Sequence, residues 1–241
     1  MLIIYQNDRQ VTTACPGIEL IMKNADLFLR MYQHLFQAFG PQGWWPADSP
    51  FEVAVGAILT QNTNWRNVDQ AITRLKAAGL LTPAALQAVP EATLAELIRP
   101  AGYYNLKAKR LKNFVTFLCQ AYDGSMAALA AAEAPRVRRE LLQIKGIGPE
   151  TADSILLYAL HQPVFVVDAY THRILSRHEL APATCSYDEL QELFHAALPP
   201  SLPLFQEYHA LLVHLGKNFC RPRARCQPCP LLPLLGLPGL P

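Results

Sequence analysis

No apolar run in this sequence is long enough to cross a membrane, which argues against a helical membrane protein. The opening stretch, Met1-Leu2-Ile3-Ile4-Tyr5, lacks the basic start and the apolar length of an export signal. The expected location is the cytoplasm, with no membrane partner. Alternation of apolar and polar residues is missing over any useful length, so helices are expected rather than strands. A strong charge of one sign is missing too. Lys+Arg number 21 and Asp+Glu 19, leaving a formal net charge of +2, so charge alone announces no polyanionic partner. Cysteine is sparse, six in 241 residues, which excludes a small disulfide-built scaffold. Three of the six are nonetheless grouped, at Cys220, Cys226 and Cys229.

What is present is apolar mass. Hydrophobic residues make up 51% of the chain, as in a packed globule. The length allows one or two domains with a sizeable core. Basic residues are few but clustered: Lys107, Lys109, Arg110 and Lys112; Arg136, Arg138 and Arg139; Arg221, Arg223 and Arg225. Each run alone reads equally well as a wet helix face. Three such runs beside the turn described below favour a nucleic-acid-facing surface.

The chain resolves into short helices. Phe28, Met31, Leu35 and Phe39 recur on one face of a helix from Asn24 to Phe39. Gly43-Trp44-Trp45-Pro46 is a loop whose adjacent tryptophans are expected to point apart, one structural and one free to stack on a flat ligand. Ser49-Pro50-Phe51-Glu52 starts the next helix, which ends at the polar run Thr60-Gln61-Asn62-Thr63-Asn64-Trp65. Further helices are expected from about Asn64 to Ala78, after Thr82-Pro83, from Gly102 to about Tyr122, over Ala127–Ala134 and over Arg136–Leu142. Downstream, Tyr170–Ser176, Tyr187–Leu198 and Phe205–Leu215 continue the pattern.

One stretch organises the rest: Leu141–Asp168, LLQIKGIGPETADSILLYALHQPVFVVD. Gly146-Ile147-Gly148 is a tight turn, and Pro149 to Leu160 reads as a helix opened by a proline. Free N–H groups and the positive end of the helix dipole then point at one spot, a natural phosphate site. Alone, the turn reads better as a plain hairpin between helices.

The stretch Ile144-Lys145-Gly146-Ile147-Gly148-Pro149-Glu150-Thr151-Ala152 resembles the helix–hairpin–helix of the endonuclease III superfamily of DNA glycosylases. Val166-Val167-Asp168-Ala169-Tyr170-Thr171-His172-Arg173 resembles its catalytic-aspartate segment, in the family order and spacing. The wording Leu59-Thr60-Gln61-Asn62-Thr63 is nearest to the endonuclease III-related subgroup that removes 3-methyladenine. The likeness covers about Asn24 to Cys229. It implies an all-α fold of two lobes with the base held between them. Residues 43–162 would form a six-helix barrel lobe, residues 18–42 and 163–230 the other, with tails at 1–17 and 231–241. It also implies a monomer acting on double-stranded DNA with a damaged base, nucleoid-associated in a bacterium by function.

Site roles follow from the same resemblance. Gly146, Gly148, Lys145 and Thr151 would grip the backbone, with Asn62, Arg221 and Arg223 also facing DNA. Gln61 would fill the gap left by an extruded nucleotide. Extrusion costs a few kcal/mol, least for a damaged base. Asp168 would stabilise the cationic sugar and orient water; an Asp before a helix is otherwise an N-cap, and both roles can coexist. Bifunctional members carry a lysine where Glu150 stands, eighteen residues before Asp168. A carboxylate cannot form a Schiff base, so a monofunctional enzyme leaving an abasic site is expected, with Lys145 as the rival amine. Trp44, Trp45 and Trp65 would line the base pocket, where cation–π contact with a charged alkylpurine is worth ~1–2 kcal/mol. Two alternatives stand beside this. One is a glycosylase for oxidised pyrimidines or mispaired adenine, the other a non-catalytic helix–hairpin–helix module.

Many family members end in four cysteines that hold a [4Fe–4S] cluster. Here Cys220, Cys226 and Cys229 are followed by Leu235 at the fourth place, and the first gap is one residue short. Thiolates are the usual ligands, four per cluster. The expectation is no ordinary cluster, leaving a non-standard cluster, or a zinc site completed by His214, as alternatives.

Overall fold

The computed structural model describes residues 25–237; the tail expected over 1–17 lies outside them. Among the described residues there is no strand, and no helix is long and apolar enough to cross a membrane. The helices are α1 (Ala25–Phe39), α2 (Pro50–Leu59), α3 (Trp65–Ala77), α4 (Pro83–Ala88), α5 (Glu91–Leu97), α6 (Tyr104–Tyr122) and α7 (Met126–Ala131). They continue as α8 (Ala134–Gln143), α9 (Pro149–Ser154), α10 (Ala169–Arg177), α11 (Tyr187–Ala197), α12 (Leu202–Asn218) and α13 (Leu232–Leu235).

Local chemistry sets most helix starts. Ser49 Oγ accepts from Glu52 N at 3.2 Å ahead of Pro50, satisfying an N–H that the helix itself leaves free. Asn64, Thr82 and Ser125 cap α3, α4 and α7 in the same way. Ser186 and Glu189 form a reciprocal capping box on α11. The sequence pattern does not announce α5, and its start at Pro90 has no side-chain cap.

The helix expected from Pro149 to Leu160 is α-helical only as far as Ser154. Ile155–Ala159 widens into a π-helical turn, with Leu160 N donating to Ile155 O at 3.0 Å. All five of its residues are buried, and it packs against α2, α8 and α12. Tyr158 in this turn is buried.

Helix α6 lies against α2, α4 and α5, while α1 packs on α11 and α12 and α10 packs on α12. The last of these contacts is close because Gly216 has no side chain. A Cβ there would stand 2.5 Å from Tyr170 Cδ1. The start of α10 is thereby drawn alongside α12.

Beneath α9, Asp153 is fully buried and ties three helices together. Arg138 of α8 donates to it at 2.8 and 3.1 Å, and Tyr187 and Gln191 of α11 donate at 2.8 Å each. The apolar run from Leu231, expected as a loose tail, starts with a fully buried Leu231 and the helical turn α13.

Candidate active site

The hairpin between α8 and α9 forms as its glycines require. Gly146 takes φ +100°, and a Cβ there would come within 2.4 Å of Arg110 Cγ. Ile147 N donates to Ile144 O at 3.0 Å. Asn113 Nδ2 donates to Lys145 O at 2.9 Å, so α6 braces the turn from behind. Gly148 and Pro149 open α9, whose first N–H groups have no partner within the helix.

Gln61 lies against this turn. Its Nε2 donates to Gly146 O at 3.1 Å and to Thr151 Oγ1 at 2.9 Å, and Arg110 donates to its Oε1. The amide expected to enter a base stack is therefore engaged by the hairpin, and entering DNA means exchanging all three bonds. Asn62 beside it is exposed with φ +52°.

Asp168 caps α10. Its Oδ1 accepts from Thr171 N at 2.7 Å and from Thr171 Oγ1 at 2.9 Å. The other oxygen, Oδ2, faces His209 Nε2 of α12 at 3.9 Å, and the two side chains are 9% and 6% exposed. His209 Nδ1 meets Tyr158 Oη at 2.7 Å. Glu150 lies at the solvent-open start of α9. Its carboxyl is pushed up to about 7, by surrounding protein first and then by the Asp168 charge. Water reaches Glu150 and screens part of both effects.

Lys217 of α12 adds a cation that the sequence pattern does not reveal. Its Nζ stands 5.7 Å above the Trp44 ring. Burial lowers its pKa while the Asp168 charge works against that shift. Lys145, the rival amine named above, is exposed on the hairpin.

The tryptophans come together, and the expectation that Trp44 and Trp45 diverge is overturned. Their rings stack at 5.7 Å with an interplanar angle of 24°, across a cis peptide. Trp44 sits beside His209 at 5.8 Å, and Trp45 meets the edge of Trp65 at 5.3 Å. Gly56 of α2 gives Trp45 its room, since a Cβ there would lie 3.3 Å from the indole. Beyond Trp45 opens a cavity of about 270 Å³, lined by Trp45, Trp65, Asp48, Glu52, Asp69 and Lys76 among others. Its walls do not include Asp168; the Trp44–Trp45 stack joins the two regions. Lys76 pairs with Asp48 and Glu52 at 2.7 Å each, leaving the lining net acidic.

Cys220, Cys226 and Cys229 border one small cavity of about 20 Å³ together with Arg177 and His178. Arg177 Nη1 donates to Cys220 Sγ at 3.3 Å and Nη2 to Pro222 O at 2.9 Å. Arg173 donates to Cys220 O at 2.7 Å. Among the described residues no group of three His, Cys, Asp or Glu is placed to hold a metal ion. With three thiols and arginines in the loop, a four-thiolate cluster does not fit these residues. His214 is elsewhere, with Nδ1 3.0 Å from Gln42 Oε1 and its ring 4.3 Å from Phe39. It does not complete a zinc site with the cysteines. Arg221 Nε donates to Lys217 O at 2.8 Å, and Arg223 is exposed.

Tyr158, His209 and Lys217 are the residues that pattern reading misses. In sequence, Tyr158 sits in an apolar run and His209 follows Tyr208 in another. A polar residue inside an apolar helix face is the one available signal, and it more often marks a satisfied core group.

Comparison with known proteins now places the chain. A family model described as the HhH-GPD superfamily of base excision DNA repair proteins matches residues 55–200. A protein of Methanocaldococcus jannaschii, provisionally named a DNA repair glycosylase, is 49% identical over 208 residues, 86% of this chain and 94% of its own length. A chloroplastic endonuclease III homologue of Arabidopsis thaliana is 33% identical over 190 residues, 76% of this chain and 47% of that protein. The crystal structure of Helicobacter pylori 3-methyladenine DNA glycosylase bound to 1,N6-ethenoadenine superposes with a TM-score of 0.66 at 29% identity, covering 83% of this chain and 97% of that one. The chain belongs to the HhH-GPD superfamily of base excision DNA repair proteins and is a DNA N-glycosylase of the endonuclease III family.

Proposed function

We propose that this glycosylase excises alkylated purines of the 3-methyladenine type and leaves an abasic site. The observation that carries the proposal is the Asp168 carboxylate. One oxygen is anchored by Thr171 and the other carries no hydrogen bond among the described residues. A carboxylate held in this way stabilises the positive charge that builds on the sugar as the base departs, and orients the attacking water. The hairpin from Lys145 to Thr151 grips a phosphate, and Arg221 and Arg223 add charge to the DNA-facing side. Gln61, with Asn62 next to it, supports the opened duplex once its amide leaves the hairpin.

Specificity rests on the aromatic wall. Trp44, Trp45 and Trp65 offer ring faces to a flat cation, and the cavity beyond Trp45 is net acidic through Asp48, Glu52 and Asp69. An alkylated purine is cationic and already a good leaving group, so recognition matters more than acid catalysis. The Helicobacter pylori relative, a 3-methyladenine glycosylase, supports the same reading.

Glu150 in place of the family lysine makes the reaction monofunctional. Lys217 is the amine that tests this, because it is near enough to Asp168 to feel its charge. The deciding experiment incubates the protein with methylated duplex DNA and identifies the free bases. Release of 3-methyladenine supports the proposal. Release of oxidised pyrimidines or mispaired adenine from damaged duplexes, with no methylated base freed, replaces it. Borohydride trapping on abasic DNA should give no covalent complex. A complex that disappears in Lys217→Met would make Lys217 a Schiff-base residue.

A further inference from the structure

His209 is buried, in the apolar interior of α12, and it is aimed at Asp168. Its Nε2 has no hydrogen-bond partner. A buried ring nitrogen without a partner is destabilising and calls for an explanation. Asp168 Oδ2 faces it at 3.9 Å. That gap is about 1 Å longer than a hydrogen bond.

The other face of the ring restricts the choices. Tyr158 Oη lies 2.7 Å from His209 Nδ1 and 3.1 Å from Gln206 O. The hydroxyl has one proton to give. If it goes to Gln206 O, Nδ1 carries the ring hydrogen and a bare Nε2 lone pair faces a carboxylate. Two acceptors then oppose each other in a buried place. If it goes to Nδ1, Nε2 carries the hydrogen and points it at Oδ2. Of the two neutral tautomers, only the second turns a donor toward the carboxylate.

We propose that His209, with its tautomer set by Tyr158, is a positioning residue that closes on Asp168 Oδ2 when a nucleotide binds at Asp168. Thr171 fixes one oxygen of the carboxylate and His209 takes one lone pair of the other, so the group's orientation is set and the remaining lone pair faces the sugar. Catalytic hydrogen bonds are often long in the free enzyme and tighten in the complex. The charged and titratable groups around the pair are Asp168, Glu150, Tyr170 of α10, Lys217 of α12, and Glu207, whose charge reaches Tyr158. The proposal rests on the reading of Asp168 as the catalytic carboxylate.

The test measures single-turnover base release from methylated duplex DNA across pH, with enzyme in excess, for wild type, His209→Leu, His209→Gln, Tyr158→Phe and Asp168→Asn. Removing a donor that faces the charged form of the site should move the acid limb of the His209→Leu base-release profile to higher pH. His209→Gln, which keeps a donor near the Nε2 position, should restore the limb. Tyr158→Phe should move it part of the way, and this arm stands even if His209→Leu fails to fold. DNA affinity should change little in all four variants. Superimposable acid limbs in the folded variants overturn the proposal. So does a uniform rate loss at every pH that Gln does not rescue, since that is what a packing defect gives. Asp168→Asn separates the two levels: if it releases base like wild type, the reading of Asp168 fails. If it is inactive while the limbs coincide, only the role of His209 fails.

Discussion

Asp153 and Asp168 lie fifteen residues apart and meet opposite fates. Asp153 is fully buried and accepts four hydrogen bonds, two of them from the Arg138 guanidinium, which also reaches Asp188 at 2.8 Å. Both oxygens accept, Oδ1 once and Oδ2 three times, with a full counter-charge at hand. Asp168 accepts two hydrogen bonds, both on one oxygen and both from Thr171. Its second oxygen faces a neutral-leaning histidine at 3.9 Å, and its charge reaches a second carboxyl at Glu150 and the amine of Lys217. A saturated carboxylate is cement between helices. An unsaturated one, held on one side only, keeps lone pairs for a reacting partner. Polar groups that a fold leaves incompletely matched point to function with a physical reason.

The comparison breaks most sharply if the two aspartates are exchanged in role. Asp168→Asn should lower base release by about 10²–10³-fold, the usual size of a lost electrostatic contact to the developing charge. DNA binding should persist in a gel-shift assay. An Asp168→Asn protein that releases base at the wild-type rate would put Asp168 on the side of Asp153, as a helix cap and nothing more. Asp153→Ala should do the reverse. Removing one partner of a buried ion pair costs about 3 kcal/mol or more, or a fall in melting temperature of about 10 °C for a chain of this size. Per folded molecule, its base release should be close to wild type at low temperature. A thermally intact but inactive Asp153→Ala protein would dissolve the distinction.

Much of this contrast is legible in the sequence, and the unread part has a common cause. Capping residues such as Ser49, Asn64, Thr82 and Ser186 announce helices because the chemistry is local. Asp168 and Glu150 are legible because they sit in a recognisable string. Helix α5 has no capping side chain to announce it. The π-turn at Ile155–Ala159 escapes because its apolar residues are buried all round, leaving no period to break. His209 and Lys217 escape because α12 meets the start of α10 only through folding, across some forty residues, where Gly216 admits Tyr170. Gln61 is a different case. Its place is visible in the string, but its engagement with Gly146, Thr151 and Arg110 depends on three distant segments meeting.

Glu150 provides the finest test of the contrast, because it sets a second acid beside Asp168 where Asp153 has a guanidinium. Its carboxyl titrates at about 7 in the folded chain against an ordinary 4.5. A raised acid is held protonated by the folded state after the unfolded chain has ionised. Ionising Glu150 therefore penalises folding progressively from about pH 4.5 to about pH 7, and the penalty is constant above that. Glu150→Gln removes the ionisation. The variant should match wild type in melting temperature near pH 4.5 and exceed it at pH 8, by about 1–2 °C once screening at this water-accessible site is allowed for. A carboxylate paired with a cation gives the opposite slope, since such a pair is lost as pH falls. A Glu150→Gln advantage that shrinks as pH rises would mean that Glu150 has a cationic partner in the folded chain. In that case the groove would resemble the Asp153 knot more closely than its geometry indicates.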